Sequence, residues 1–488
     1  MSRLTLVLAI AAVLTGSAAA AVVRGTARAD RIQVAFGGRD TVRCHAGLDL
    51  VVADRMDTVA SDCETVVRRL SVDPFKNPAS QHETAVEPDS FAWGSTVVAA
   101  FQVGRFQAGA ASGTGWATST DAGRSWRTGT LPSLTAESTP PGTQTRSSDP
   151  AVAYDALHGV WLVATLTVAP RTSNILVSRS QDGVHWDAPV TMVNGPELDK
   201  EWVACDNGDA SPFRGRCYSA YTDDALHRVS LQTSTDGGAT WSQPLRIAPQ
   251  LIGTQPLIQP DGSLTVLMID LPDNRSGSIV ALRSTDGGAT FQPQVTVSNV
   301  QWTLPHRMRA IPLPSAAVDG SGRIFVAWHD CRFRPGCPVN DVVLSSSADG
   351  TTWTAPTRVA VDGVGSGTDH FITGLDADPA ATGRLALVYG FFEPGSCSLF
   401  CRLEIGFTSS SDGGATWAQQ LRLDALSMPL DWLPASGGGQ MVGDYFSTSF
   451  AGGRAVPVFT LAAAPAKGRF RVAIFAASLP AQGARKRP

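Results

Sequence analysis

The stretch Ser234-Thr235-Asp236-Gly237-Gly238-Ala239-Thr240-Trp241 recurs with small changes along the whole chain. Each copy keeps the serine, the aspartate, a glycine and the final aromatic residue. The aspartates of the six copies lie about 50 to 63 residues apart. They are Asp121, Asp182, Asp236, Asp286, Asp349 and Asp412. A period of this length predicts a stacked or radial repeat rather than a single ordinary core.

The motif has the chemistry of a tight turn between two strands. An aspartate carboxylate accepts hydrogen bonds from N–H groups of its own turn, and glycine supplies positive φ. The aromatic residue packs beneath the turn and anchors it. We therefore assign the six aspartates a structural role. The pattern resembles the Asp-box, or BNR repeat, of the sialidase-like β-propellers.

The segments between the Asp-boxes are short apolar or alternating runs bounded by Gly, Asp and Pro, which is typical of strands. The second unit shows four such runs, at 151–154, 160–166, 175–178 and 190–193. The predicted fold is all-β, a β-propeller of four-stranded blades with Asp-box turns over residues 89–480. We favour seven blades over six, the number that the resemblance to true sialidases implies.

The last set of runs has no Asp-box and only three strands, at 445–450, 455–461 and 470–475. A closed ring leaves no open edge between its first and last blades. We therefore expect a segment before Asp89 to supply the missing fourth strand.

The first 20 residues have the layout of a secretory signal peptide: Arg3, an apolar run over 4–14 and small residues at 17–20. The run is too short to span a bilayer, and no later segment is long and apolar enough. The sequence predicts a secreted, extracellular protein without a membrane span, and a retained N-terminal anchor is the alternative. The basic tail, residues 481–488, is predicted to be disordered.

Export to an oxidising compartment makes the eight cysteines candidates for disulfides. They fall in pairs that are close in sequence, so local pairing is favoured. The predicted bridges are Cys44 with Cys63, Cys205 with Cys217, Cys331 with Cys337, and Cys397 with Cys401. A zinc site is disfavoured because no paired C-x-x-C spacing occurs.

Residues 21–73 have a shorter period of their own, with Asp30, Asp40, Asp49 and Asp57 spaced about eight to ten residues apart. The segment resembles a degenerate RTX-type β-roll, which implies a small cap before the propeller. That resemblance makes Ca²⁺ binding at Asp40 and Asp49 possible. A metal-free roll is the alternative, because the full G-G-x-G-x-D form does not occur. Residues 74–88 read as a linker.

Composition excludes several other classes. A net charge of −4 over 488 residues argues against a nucleic-acid binder. Neither G-x-S-x-G nor H-E-x-x-H occurs, and no motif points to a nucleotide, so no cofactor is required. We expect a monomer whose partners are extracellular glycans or glycoproteins.

The loops on the face opposite the Asp-boxes carry the polar residues that the fold does not explain. Resemblance to the sialidases implies three arginines for a substrate carboxylate, a tyrosine nucleophile with a glutamate, and an aspartate acid/base. The catalytic candidates on this basis are Tyr445, Glu201 and Asp330. The substrate-binding candidates are Arg105, Arg275, Arg309, Arg332 and Asp444. The family's early Arg-Ile-Pro motif is replaced here by Glu87-Pro88-Asp89.

Two functions follow. The first is a secreted exo-glycosidase of exo-α-sialidase type, acting on terminal sugars of extracellular glycans. The second is a non-catalytic propeller that binds glycans or another protein. Three arginines converging on one pocket beside Tyr445 would favour the enzyme. Arginines paired with Asp149, Asp223 or Asp330 would favour binding alone.

Overall fold

A computed structural model describes residues 20–395, 397 and 401–480. In this part of the chain the regular structure is β-strand, apart from one 3-10 helix over Leu430–Trp432. No helix in the same ranges has the length and hydropathy needed to cross a membrane. The expected signal peptide, except its last residue, and the basic tail lie outside the described residues.

The N-terminal segment is built from two parallel sheets whose strands alternate along the chain. Strands β1, β3 and β5 form one sheet, while β2, β4 and β6 begin the other. The bounds are β1 Val22–Arg24, β2 Arg31–Gln33, β3 Thr41–Arg43, β4 Leu50–Ala53, β5 Thr58–Val59 and β6 Thr65–Arg69. Val42, Val51 and Ala53 are fully buried between the sheets. This arrangement is a β-roll.

Acidic residues of the roll tie each turn to the next one. Asp40 accepts a hydrogen bond from the Ala21 N–H at 2.9 Å, and Asp49 accepts one from the Asp30 N–H at 2.7 Å. The Asp40 N–H in turn donates to Asp57 at 3.0 Å. These bonds use carboxylate oxygens that the RTX resemblance would give to calcium. Ca²⁺ binding at Asp40 and Asp49 stays a prediction.

Six four-stranded antiparallel units follow in chain order, one for each Asp-box. The first has β7 Gln81–Trp93, β8 Thr96–Arg105, β9 Ala111–Ser119 and β10 Arg127–Thr130. The second has β11 Arg146–Asp155, β12 Val160–Ala169, β13 Thr172–Ser180 and β14 Val190–Gly195. The third has β15 Leu198–Cys205, β16 Cys217–Asp223, β17 Arg228–Ser234 and β18 Leu245–Pro249.

The fourth to sixth units have the same order, and the outer strands of the fifth and sixth are only two residues long. The fourth has β19 Ile252–Ile258, β20 Leu264–Asp270, β21 Ser276–Ser284 and β22 Val295–Gln301. The fifth has β23 Ser315–Val318, β24 Ile324–Asp330, β25 Asp341–Ser347 and β26 Thr357–Arg358. The sixth has β27 Asp369–Ala377, β28 Leu385–Phe392, β29 Arg402–Ser410 and β30 Leu421–Arg422, with β31 Met428–Pro429 also pairing β29.

The last unit follows a short hairpin of β32 Ala435–Ser436 and β33 Gly439–Gln440. Its strands are β34 Ser447–Ala451, β35 Arg454–Ala462, β36 Val472–Ala477 and the short β37 Leu479–Pro480. The inner strands β7, β11, β15, β19, β23, β27 and β34 contact one another in sequence, and β34 returns to β7. The propeller therefore has seven blades.

Strand β6 of the roll supplies the outer strand of the seventh blade. It pairs antiparallel with β36, with Arg69 opposite Phe475 and Val67 opposite Ala477. The expectation that a segment before Asp89 closes the ring is confirmed. The roll is continuous with this blade rather than a separate unit, because β4 and β2 extend the same sheet.

The linker predicted over residues 74–88 is too long, since β7 already begins at Gln81. Pairing with β8 starts at Gln81 opposite Arg105. The ladder is interrupted between Val86 and Asp89, where Pro88 lies. Proline suits such a bulge, because it has no N–H to contribute to the ladder. A proline that looked like linker sequence is thus part of an inner strand.

The Asp-boxes form the turns between third and fourth strands. Asp236 accepts hydrogen bonds from the backbone N–H and the hydroxyl of Thr240, at 2.9 and 2.6 Å, and from Ser234 Oγ at 2.8 Å. Ser234 Oγ also accepts the Gly238 N–H at 2.9 Å. The other boxes bond in the same manner. The Asp-box carboxylates therefore accept hydrogen bonds from their own turns, which is the structural role expected of them.

The eight cysteines form the four local pairs that their spacing predicts. The bridges are Cys44–Cys63, Cys205–Cys217, Cys331–Cys337 and Cys397–Cys401. Each bridge closes a short loop of 4 to 19 residues in sequence separation. Such staples stabilise mainly by restricting the unfolded chain.

Candidate functional site

Five inner strands carry a β-bulge at the same end of the propeller axis, and three of these bulges hold a charged residue. The register shifts at Glu87, Asp149 and Lys200, in the first, second and third blades. All three residues have left-handed backbone, with φ of 60°, 41° and 50°. Non-glycine residues at such φ cost of order 1–3 kcal/mol and occur preferentially at functional sites. The bulges bring three charged side chains together near the axis.

Lys200 is the centre of this buried charge cluster. Its Nζ lies 2.8 Å from Asp444, 3.1 Å from Asp149 and 3.7 Å from Glu87. The Lys200 side chain is only 9% exposed. Burial alone would lower the pKa of Lys200, but the charges of Asp149, Asp444 and Glu87 raise it above its ordinary value. The lysine therefore stays charged.

Arg309 binds the other side of Asp444. Its Nε and Nη2 donate to the two carboxylate oxygens at 2.8 and 2.7 Å. Burial would raise the pKa of Asp444, but the charges of Lys200 and Arg309 outweigh it and lower the pKa below its usual value. Asp444 is an ionised carboxylate with two cationic partners.

Glu87 behaves in the opposite way. Burial, reinforced by the charge of Asp149, raises its pKa to about 8. Gln102 donates a hydrogen bond to its carboxyl group, and the same glutamine accepts one from Arg105 at 3.1 Å. At neutral pH Glu87 therefore holds a proton, although ionised carboxylates lie beside it.

A pocket of about 260 Å³ opens above this cluster, on the face opposite the Asp-boxes. Three arginines line it together with acidic residues and Lys200. The charged lining residues are Glu87, Arg105, Arg146, Asp149, Asp199, Lys200 and Arg309. We call this space the arginine pocket.

A second cavity, of about 650 Å³, occupies the propeller axis below the cluster. Inner-strand residues of all seven blades line it, and turns between first and second strands surround its mouth. Asp149 and Lys200 line both spaces. The charge cluster is thus a partition between the arginine pocket and this central cavity.

The structure brings together three of the predicted substrate-binding residues and leaves two apart. Arg105 and Arg309 line the arginine pocket, and Asp444 binds Arg309. Arg275 is exposed in the loop between β20 and β21 and lines neither cavity. Arg332 also lies elsewhere, because it forms an ion pair with Asp330 at 2.6 Å.

Asp330, predicted as the acid/base, is buried at the end of β24. It accepts hydrogen bonds from Arg332 Nε at 3.0 Å and from Trp328 Nε1 at 3.1 Å. It lines neither the arginine pocket nor the central cavity. The Asp330 carboxylate is hydrogen-bonded to residues of its own blade. It therefore cannot contact a ligand in either space.

Tyr445 and Glu201 lie on the other side of the partition from the arginines, where both line the central cavity. The Tyr445 hydroxyl donates to the Pro150 carbonyl at 3.4 Å. Burial raises the pKa of Tyr445 well above its usual value, and burial also raises that of Glu201. Both Glu201 carboxyl oxygens lack a hydrogen-bond partner among the described residues. The predicted nucleophile and base do not face the arginines.

Glu87, Asp149, Lys200 and Arg146 are site residues that the sequence-based assignment of roles missed. A signal for two of them exists: Glu87-Pro88 and Asp149-Pro150 are acid–proline pairs at equivalent places in consecutive blades. Proline in an inner strand marks a bulge, and a bulge redirects the neighbouring side chain. Lys200 carries no such signal.

A second cluster of possible metal ligands, Asp341, Asp362 and His370, lies in the fifth and sixth blades. Two arginines already neutralise it. Arg334 contacts Asp341 at 2.5 Å and Asp362 at 3.2 Å. Arg358 contacts both aspartates as well. The cluster is a buried ion-pair network between blades.

The repeat is also recognised by comparison with known families. Residues 222–429, less than half of the chain, match the family model described as a BNR repeat-like domain. The β-propeller thus contains a BNR repeat-like domain. The match runs from β16 to β31 and includes the Asp-boxes of Asp236, Asp286, Asp349 and Asp412. No curated protein matches the chain significantly in sequence.

Several solved structures resemble the BNR-repeat propeller. One is a protein of unknown function from Dyadobacter fermentans, 17% identical with a TM-score of 0.42, covering 67% of this chain and 96% of that one. The Hadza microbial sialidase Hz136 is 18% identical with a TM-score of 0.42, covering 66% of each chain. The NanB sialidase from Streptococcus pneumoniae is 11% identical with a TM-score of 0.40, covering 84% and 70%. Likeness at this level assigns no activity to this chain.

Proposed function

We propose that this BNR-repeat propeller is an exo-glycosidase of sialidase type, and that it binds the carboxylate of a terminal acidic sugar in the arginine pocket. The observation that carries the proposal is the convergence of Arg105, Arg146 and Arg309 on one space. Guanidinium groups match carboxylates in shape and charge, and their planar fork bonds both oxygens.

Two of the three arginines have N–H groups without a protein partner, and Arg146 is the more exposed of the two. Arg146 lies over the Phe106 ring at 4.1 Å and donates to the Gly109 carbonyl at 3.2 Å. Arg105 donates to Gln102, and its Nε has no partner among the described residues. Neither arginine forms an ion pair within the described chain. Arg105 is 1% exposed and its Nε is buried, so the N–H groups open to a ligand carboxylate are those of Arg146.

The neighbouring carboxyl groups supply the acid chemistry that glycoside hydrolysis needs. Protonated Glu87 can give its proton to the leaving glycosidic oxygen, which requires a carboxyl group of raised pKa. Asp149, beside Lys200, can stabilise the positive charge that develops at the anomeric carbon. A water molecule that attacks this carbon completes the hydrolysis and returns a proton to the Glu87 carboxylate. Gln102 and Arg105 hold Glu87 in place. In this scheme Glu87 replaces Asp330 as the acid.

The test is release of 4-methylumbelliferone from its α-sialoside by purified protein. Arg146→Ala should lower kcat/KM by about tenfold or more, since it removes a charged contact worth of order 1.5–3 kcal/mol. Arg275→Ala is the matched control, an exposed arginine outside the pocket, and should behave as wild type. No turnover by folded wild type, or equal loss in the two variants, would reject the enzyme assignment.

The alternative is a non-catalytic glycan-binding propeller. The bidentate bond between Arg309 and Asp444 favours this alternative. Arg309 then has fewer free N–H groups with which to complete the three-arginine clamp of a sialidase. Saturable binding of sialyllactose without turnover, weakened by Arg146→Ala, would support this function instead.

We further propose that the protein acts outside the cell as a monomer on glycans or glycoproteins. Four disulfides suit an oxidising compartment. Export of the full-length chain into culture medium, followed by light scattering of the purified product, tests both points.

A further inference from the structure

Arg146 and Asp199 carry unpaired opposite charges in the arginine pocket. Both residues line this space of about 260 Å³, and both are partly exposed. Neither forms an ion pair with the other or with any residue in the described part of the chain. The Asp199 carboxylate accepts no hydrogen bond from these residues either. Charges without a partner are unfavourable in a partly buried space, and a ligand that pairs them removes this cost.

The other charged groups around the pocket have partners in the protein or are out of reach. Lys200 and Arg309 both bind Asp444. Lys200 also binds Asp149, at 3.1 Å. Arg105 is only 1% exposed, so it does not offer its N–H groups to a ligand. The accessible unpaired charges are therefore one guanidinium group and one carboxylate.

Asp199 lies at an acidic end of the pocket. Burial raises the pKa of Asp199 to about 6, an effect that Lys200 opposes. The charges of Asp149, Asp224 and Asp444 raise it further. Asp199 is still mostly ionised at neutral pH, and these surroundings favour a positive charge beside it.

Arg146 is held in place at the other end. Its guanidinium group lies 4.1 Å from the centroid of the Phe106 ring, and its Nη1 donates to the Gly109 carbonyl at 3.2 Å. The described residues provide no hydrogen-bond acceptor for its other N–H groups. A planar guanidinium fork bonds both oxygens of a carboxylate.

We propose that the arginine pocket prefers a zwitterionic ligand, an acidic sugar with a free amino group, whose carboxylate binds Arg146 and whose ammonium group binds Asp199. Asp199 is then the residue that determines specificity for the amine. An N-acetylated sugar still binds through its carboxylate, but it has no charge to pair with Asp199. This inference rests on the proposed function, because it names the kind of acidic sugar that the same pocket takes.

Calorimetric titration of the full chain with two matched sugars tests the preference. The methyl α-glycoside of neuraminic acid has a free amino group, and its N-acetyl derivative differs only at that group. Wild type at pH 7 should bind the amine about tenfold or more tightly, because only the amine forms a charge-assisted hydrogen bond with Asp199. Asp199→Asn should reduce this preference to less than about threefold. Arg146→Ala should weaken both sugars by a similar factor.

The matched control is Asp270→Asn. Asp270 is an exposed aspartate on the same face and lines neither the arginine pocket nor the central cavity. This variant should keep the preference of wild type.

The pH dependence of wild type gives a second readout that needs no variant. Protonation of Asp199 around pH 6 should weaken binding of the amine about tenfold between pH 7 and 5, and should leave the N-acetyl sugar nearly unaffected. Lys200 and Asp444 keep their charges over this range, because the pKa of Lys200 is raised and that of Asp444 is lowered. Glu87, with a pKa of about 8, stays protonated.

The outcomes separate this inference from the proposed function. Equal affinity of wild type for the two sugars, or an unchanged preference in folded Asp199→Asn, would overturn the inference and leave the proposed function standing. Folded wild type that binds neither sugar would overturn both.

Discussion

Arg309 and Asp444, 135 residues apart in the chain, form a bidentate ion pair with N–O distances of 2.8 and 2.7 Å. The carboxylate is 1% exposed and the arginine 34%. One end of the pair is therefore buried in the partition, while the other faces the arginine pocket. Asp444 also binds Lys200, so one carboxylate orders two cations from different blades.

Removing the charge of Asp444 should destabilise the propeller strongly. Asp444→Asn leaves Lys200 and Arg309 without their shared partner, and uncompensated buried charges of this kind cost about 3–5 kcal/mol. Urea denaturation measures the loss. Asp431→Asn is the matched control, because Asp431 also binds an arginine but is 67% exposed. That change should cost no more than about 1 kcal/mol. Similar losses in the two variants would contradict a buried role for Asp444.

The protonated Glu87 predicts how stability varies with pH. Its folded pKa of about 8 lies above the ordinary value of 4.5. Between these two values the folded state binds more protons than the unfolded state. The contribution of Glu87 is thus complete below about pH 4.5 and is lost as pH rises through about 8.

Glu87→Gln should flatten this dependence. The free energy of unfolding should fall between pH 5 and 8 less steeply than in wild type, by up to about 1.4 kcal/mol per pH unit. Denaturant melts at several pH values give the slope. Glu137→Gln, an exposed glutamate on a loop, should keep the wild-type slope. An unchanged slope in Glu87→Gln would mean that Glu87 is ionised in the folded protein.

Activity measurements on two variants distinguish a mechanism with Glu87 as general acid from one with Tyr445 as nucleophile. Tyr445 donates to Pro150 and faces the central cavity, and burial raises its pKa, all of which make it a poor nucleophile for the arginine pocket. We expect Tyr445→Phe to change kcat on the α-sialoside by less than about threefold, since it removes one weak hydrogen bond. Glu87→Gln should lower kcat by about a hundredfold or more, because it removes the general acid. The reverse pattern would restore the tyrosine mechanism.

The fold could be predicted from the sequence because the residues that form each Asp-box turn are close together in the chain. Asp236 bonds to Ser234 and Thr240, all within one turn, so six copies of the motif reveal six blades directly. The seventh blade needed an argument about ring closure, and β6 supplies the strand that this argument requires.

The site was harder to predict, because its residues are far apart in sequence and come together only when the closed ring places them near the propeller axis. Lys200 and Asp444 are 244 residues apart, and Glu87 and Asp444 are 357 apart. Sequence reasoning found Arg105, Arg309 and Asp444 as polar residues on the right face. It also included Arg332 and Asp330, which neutralise each other within two residues. A charged residue that pairs with a neighbour in its own loop is not free to bind a ligand. The spacing of charged residues in the sequence does not show whether such a pair forms.

Closure of the ring by β6 predicts that a change in the roll should unfold the propeller. Val67 is fully buried opposite Ala477, so Val67→Asp places an unpaired carboxyl between β6 and the seventh blade. The free energy of unfolding should drop by about 3 kcal/mol or more. The control is Leu48→Asp, in the same segment but 80% exposed, which should change it by less than about 0.5 kcal/mol. Limited proteolysis also shows whether strands β34 to β36 of the seventh blade remain protected from cleavage. A Val67→Asp protein that loses the roll but keeps a fully protected propeller would show that the ring closes without this strand.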